Sequence, residues 1–211
     1  MNSNSQTQLD AYHTELRRCR RCAEAGYFID SRPVFSGPAA AQVMVVGQAP
    51  AKVETGKDGI PFGPRRGGQR SMLWTWLEQA GWPEADFRAG HYISAITKCY
   101  PGKSKKGNGD RVPSAAEREL CRPWRERELA IIRPKIIIPI GRIAIEQFLP
   151  ELKGKPLETF IGQLFKRDTY TIMPLPHPSG VSRWLNDPKN RARVDEALEQ
   201  LKTLKEELGI K

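Results

Sequence analysis

Apolar positions set the framework of this chain. The run Gln42–Gly47, QVMVVG, is short, continuous and β-branched, which predicts a strand buried on both faces. The runs His91–Cys99 and Lys135–Gly141 have the same character, and two shorter strands are expected around Phe160–Arg167 and Tyr170–Met173. Between them the spacing turns helical. Residues 8–22 mix apolar and basic positions at helical intervals, and Ser71–Gly81 reads as a helix stopped by Gly81. In Pro113–Pro134, Ser114 is the expected N-cap and Glu117 completes a capping box. Pro123 is expected to disturb that helix or to begin a new segment. Helices over Arg142–Leu149 and Arg191–Leu208 complete the pattern. Strands alternating with helices imply right-handed crossovers and a mainly parallel sheet. In such sheets ligands bind beyond the carboxyl ends of the strands. The loops after Gly47, after Cys99 and around His177 are therefore the places to look for a site.

The length of 211 residues suits one compact domain, residues 1–211, large enough for a real core. No apolar run spans a membrane, and the N-terminus lacks the apolar stretch of a secretory signal. An intracellular, cytoplasmic protein with no membrane partner is expected, and a monomer. The 34 basic and 24 acidic residues leave a formal charge of +10, which favours a polyanionic partner, nucleic acid first. Arg65, Arg66, Lys98, Lys103, Lys105 and Lys106 are candidates to contact phosphate.

The four cysteines are Cys19 and Cys22, in a Cys-x2-Cys arm within residues 8–26, and the distant Cys99 and Cys121. Without signs of secretion, four thiolates on a metal are expected ahead of disulfides. Zinc and an iron–sulfur cluster both accept such a set. The site would tie the N-terminal arm to the loop and helix after the second strand.

Two loops carry candidate chemistry. GQAPA, Gly47–Ala51, is built so that backbone amides can approach a ligand carbonyl or anion. Phe62, between turn formers in GIPFGP, is placed to stack on a base. His177 stands between prolines in PHPSG, where a held imidazole can donate to a developing oxyanion. The loop lacks the Gly-Lys-Ser/Thr ending of a P-loop, which counts against a nucleotide hydrolase.

In this order the four cysteines, GQAPA with PFGP, TKCYPG and LPHPSG resemble the uracil-DNA glycosylase superfamily, the iron–sulfur branches of families 4 and 5 most closely, over roughly Cys19 to Trp184. The resemblance implies a three-layer α/β/α sandwich around a central, mainly parallel four-stranded sheet. It implies that Cys19, Cys22, Cys99 and Cys121 hold a 4Fe–4S cluster, with zinc the second choice. It implies a base pocket of Gly47, Gln48, Ala49, Phe62 and His177, with His177 contacting uracil O2. The segment with Ser179, Val181, Arg183 and Trp184 would enter the minor groove. The expected activity is excision of uracil, and of other deaminated bases, from single- or double-stranded DNA in base excision repair. The alternative is an iron–sulfur protein that binds DNA or damaged bases without cutting. Ala49 and Arg65 stand where relatives carry aspartates, and Gln48 where family 4 has glutamate. The catalytic set is then His177 and Gln48, with Glu54 and Asp58 as candidates to activate water. Ala95 replaces a pyrimidine-reading asparagine, so broad base specificity is expected.

Overall fold

The computed structural model describes residues 2–56, 59–63, 70–105, 109–178 and 183–211. The β-branched run around residue 45 forms β1 (Val43–Gly47), and β2 (Tyr92–Ala95) and β3 (Ile136–Pro139) flank it, every residue buried. The sheet has five strands, in the order β2-β1-β3-β5-β4. This corrects the expected four. β5 (Thr171–Ile172) joins β3 in parallel, and β4 (Phe165–Lys166) returns antiparallel against β5 as the edge strand. Both are two residues long and lie within the segments expected to hold short strands, with β4 half-buried at Phe165 and exposed at Lys166; what differs is that both join the one sheet. An antiparallel edge on a parallel sheet is common. The second strand is shorter than the apolar run. After Ala95 the chain bends, and the amides of Ile96 and Thr97 donate to the carbonyls of Gly47 and Gln48.

The helices are α1 (Asn2–Arg17), α2 (Arg21–Glu24), α3 (Met72–Gln79), α4 (Glu84–Gly90), α5 (Ala115–Ile132), α6 (Arg142–Phe148) and α7 (Pro188–Glu207). Ser71 caps α3 by accepting from the Leu73 amide, and Gly81 just beyond it takes φ +88°. Ser114 and Glu117 form the reciprocal capping box at the start of α5. Pro123 does not break α5, contrary to expectation. The missing hydrogen bond and ring clash cost about 3 kcal/mol. The buried face of Cys121, Trp124, Arg125 and Glu128, to which α1 packs, outweighs that cost. α4 is not foreshadowed in the apolar pattern, because only Phe87 of it is buried.

The chain runs from β1 outward to β2, then crosses back past β1 to β3. Right-handed crossovers in opposite directions place α3 and α4 on one face and α5 on the other. α1 packs on α5, and α7 on α3, which gives the three layers. The direction reverses between β1 and β3, where loops leaving the strand ends diverge and open a crevice. No helix among the described residues is long and apolar enough to cross a membrane.

Candidate active site

That crevice is a cleft of about 530 Å³, within the range of roughly 300–1000 Å³ typical of small-ligand sites. Its walls come from the loop after β1 (Gly47 to Glu54, and Pro61 to Gly63), Ser94 and Ala95 of β2, Asp110 and Arg111, Ile140 after β3, and His177. Phe62 and His177, far apart in sequence, thus share one cavity.

Phe62 is held in an unusual state. Its φ is +50°, one of two positive values among the described non-glycine residues. The left-handed region costs an L-residue about 1–2 kcal/mol. Several contacts impose it. The Phe62 N–H donates to Glu54 Oε1, and its carbonyl accepts from Trp74 Nε1 (2.8 Å) and from Arg88 (3.1 Å). Arg88 also donates to the Pro61 carbonyl (3.0 Å) and lies 4.1 Å over the Trp74 ring. The ring covers Gly47, where an added Cβ would stand 3.2 Å from Phe62 Cζ. A side chain at 47 would press on that ring, which would have to give by a few tenths of an ångström. Backbone strain this strongly over-determined is characteristic of functional positions.

Glu54 closes the same loop on itself. Oε2 accepts from the Ala51 N–H (2.6 Å) while Oε1 accepts from Phe62. Burial pushes its pKa up, and the two amide donors pull the other way. With both oxygens engaged by backbone, Glu54 is a brace for the loop. Trp74 and Arg88 are functional supports that the sequence did not flag. Their partners are loop carbonyls, which leave no trace in the side-chain pattern.

His177 is exposed on a stem stitched to β3: the Leu175 amide donates to the Pro139 carbonyl (3.0 Å), and the Gly141 amide to the Leu175 carbonyl (2.8 Å). Gly141 has φ +79°, and a Cβ there would meet His177 Cβ at 3.4 Å. Gln48 is half-buried with its carbonyl accepting from the Thr97 amide (3.2 Å). Ala49 and Ala95 both line the cleft. His13 and His91 lie elsewhere, His13 stacked at 4.0 Å on Phe35 and His91 buried.

A sequence profile of the Uracil DNA glycosylase superfamily matches residues 34–202. The chain belongs to that superfamily. It is 24% identical over 206 residues to a Type-4 uracil-DNA glycosylase of Sulfurisphaera tokodaii, covering 93% of this chain and 84% of that protein. It is 28% identical over 150 residues to a Type-4 uracil-DNA glycosylase of Pyrobaculum aerophilum, covering 71% and 68%. A Type-5 uracil-DNA glycosylase of the same organism is 26% identical over 212 residues, covering 96% and 87%.

In this superfamily member the four cysteines also converge. Cys19, Cys22, Cys99 and Cys121 all line a second, largely apolar cavity with Leu16, Leu120 and Trp124, and none is in a disulfide. Trp124 Nε1 lies 3.2 Å from Cys19 Sγ, positioned as a donor to sulfur. Burial first, then the neighbouring sulfurs, pushes the Cys22 thiol up to about 11. As the side chains lie, no three of the described His, Cys, Asp and Glu residues form a set that could hold a single metal ion. The donor chemistry, four unpaired thiols around one space with an N–H aimed at sulfur, fits a thiolate-ligated group.

The basic candidates divide. Lys103, Lys105 and Arg183 are exposed, and Trp184 is half-buried with Nε1 donating to Glu158 (2.8 Å). Lys98 is a correction. It is 1% exposed and donates to Glu128 at 2.5 Å, with Glu128 at 0%, so it faces the interior and cannot reach a phosphate. Its alternation in the basic segment around residue 100 gave no sign of the buried carboxylate on α5 that pairs with it. Asp58, Arg65, Arg66, Lys106, Ser179 and Val181 lie outside the described residues.

Proposed function

We propose that this protein is a monofunctional DNA glycosylase that removes uracil, and other deaminated bases, in base excision repair. The observation that carries the reading is the convergence of Phe62 and His177 in one cleft at the strand ends. A base inside a duplex is out of reach, so the nucleotide is flipped into the cleft. The ring of Phe62 stacks on the base, and the loop at Gly47, Gln48 and Ala49 closes on its edge. The bond between C1′ and the base nitrogen breaks with its electron pair passing to the base. His177 donates toward the oxygen where that charge collects. Losing such a donor costs about 3 kcal/mol of barrier, or roughly 100-fold in rate. Lys103, Lys105 and Arg183 hold the phosphates that flank the flipped nucleotide. Ala95 puts a methyl group where a side-chain amide would read a pyrimidine, which supports acceptance of several deaminated bases.

Cys19, Cys22, Cys99 and Cys121 are the residues that would hold a 4Fe–4S cluster, whose contribution is to join the N-terminal arm to α5 and the segment after β2. Purified protein should then be brown, with about four irons and four sulfides per chain.

The test of the activity is an excision assay on single- and double-stranded oligonucleotides carrying uracil, hypoxanthine or xanthine, scored for free base and alkali-labile abasic sites. His177→Ala should retain its fold and colour and lose roughly 100-fold in turnover. The engagement of both Glu54 oxygens by backbone favours one second reading, a damaged-base-binding protein without catalysis. Tight binding of uracil-containing DNA with no abasic product would establish it instead.

A further inference from the structure

The proposed reaction needs a water delivered to C1′, and Glu54 is spent on the loop. Among the described residues lining the cleft, one other carboxylate remains, Asp110. It closes the segment between β2 and α5. Lys103 and Asp110 face each other in an antiparallel bridge, the Ser104 amide donates to the Gly109 carbonyl (2.9 Å), and the Arg111 amide to the Gly102 carbonyl (2.9 Å). The next side chain anchors this arm. Arg111 makes a two-pronged pair with the buried carboxylate of Glu117 (2.7 and 2.5 Å) and donates to the Phe28 carbonyl (2.9 Å). Asp110 itself is solvent-accessible, and its Oδ1 accepts from the Tyr100 hydroxyl at 2.9 Å. Tyr100 is buried, and its ring carries Lys52 Nζ at 5.5 Å. The carboxylate is thus fixed on one oxygen by a rigid phenol, at the rim of a cavity whose interior holds the aromatic ring. The sugar of a flipped nucleotide stays at that rim when its base goes inside. The negative charge of Asp110 also reaches Glu54, where it is one of the influences raising the pKa.

Resting on the glycosylase reading, we propose that Asp110 is the catalytic carboxylate of the cleft: it orients the attacking water and accepts its proton. As the C1′–base bond breaks toward the base, a lone pair of the water oxygen forms the new C1′–O bond. The proton released from that water passes to the Asp110 carboxylate and then to solvent. The anionic base leaves with the original electron pair. While the sugar is cationic, the same carboxylate stabilises it. Tyr100 is a positioning residue, acting through Asp110.

The experiment is single-turnover excision from a uracil oligonucleotide by wild type, Asp110→Asn and Tyr100→Phe, with affinity measured separately on DNA carrying non-cleavable 2′-fluorodeoxyuridine. General-base carboxylates contribute about 10²- to 10⁴-fold. Asp110→Asn should fall at least 100-fold in rate, bind the analogue within about threefold of wild type, and lose the acid-side decline of the rate profile. Tyr100→Phe should fall less and keep that decline. Since Asp110 is exposed, the melting temperature of its variant should stay near wild type. An Asp110→Asn rate within threefold of wild type, or a rate loss matched by an equal loss of analogue binding, overturns the assignment alone. Wild-type protein that releases no base overturns the glycosylase reading and the assignment with it.

Discussion

Glu128→Gln is the substitution whose cost the geometry defines best. Glu128 and Lys98 are 0% and 1% exposed and sit 2.5 Å apart. Glu128 Oε1 also accepts from Ser94 Oγ (3.0 Å) and the Tyr12 hydroxyl (3.4 Å), and Lys98 Nζ donates to Ser94 Oγ (2.6 Å). The amide keeps the size and one acceptor but removes the charge, so a buried ammonium loses its counter-ion. Breaking a buried pair in this way costs about 3–5 kcal/mol. In a chain of this length each kcal/mol shifts the melting temperature by about 2–4 °C, which gives a fall of roughly 6–20 °C. The double variant Lys98→Met/Glu128→Leu removes both charges and should return to within about 1–2 kcal/mol of wild type. The exposed pair Arg127–Glu15, at 47% and 55%, is the control: Glu15→Gln should leave the melting temperature close to wild type. Thermal melts at one scan rate, followed by far-ultraviolet circular dichroism, read all four proteins. A Glu128→Gln melt within 2 °C of wild type, or a double variant no more stable than the single, would refute the argument. Ser94 also lines the cleft, so the loss should reach excision activity as well as stability.

Three further outcomes are expected. Ala95→Asn should raise the ratio of uracil to hypoxanthine excision by about tenfold or more, since a good bidentate base contact is worth about 1–3 kcal/mol; an unchanged base panel would remove this position from specificity. Lys103→Ala and Lys105→Ala should weaken DNA binding at all sequences and each reduce the salt slope by about one, measured by fluorescence titration between 50 and 200 mM salt; Lys98→Ala should instead lower the melting temperature. His13 is held neutral: burial foremost, then Arg17, lowers its pKa from the ordinary 6.5 to about 4. The unfolded chain therefore binds the extra proton between pH 6.5 and 4, and stability falls as pH drops through that window. Because the ring is only partly buried, about 1–2 kcal/mol is expected after solvent screening, and His13→Gln should flatten the slope of denaturation midpoint against pH.

What the sequence by itself determined was everything written in continuous or strictly spaced patterns. The apolar runs fixed β1 and β3 because a strand buried on both faces must be apolar throughout. Ser114 with Glu117 fixed the start of α5, because a capping box is local chemistry. The order of the four cysteines, GQAPA, PFGP and LPHPSG was enough to point to the superfamily, and it named the Phe62 and His177 that meet in the cleft. The two short strands were located in the sequence, but their joining β3 to make one five-stranded sheet was not, since that pairing is made across the fold. Tertiary structure alone decided the fate of the charges. Lys98 and Lys103 look alike in one basic segment, yet one meets Glu128 inside and the other meets solvent. Glu54 and Asp110 both line the cleft, but two backbone amides claim the first, while the second presents an oxygen beyond its bond to Tyr100. The work a charged side chain can do depends on which partners reach it, and those partners come from across the fold, where no local spacing records them.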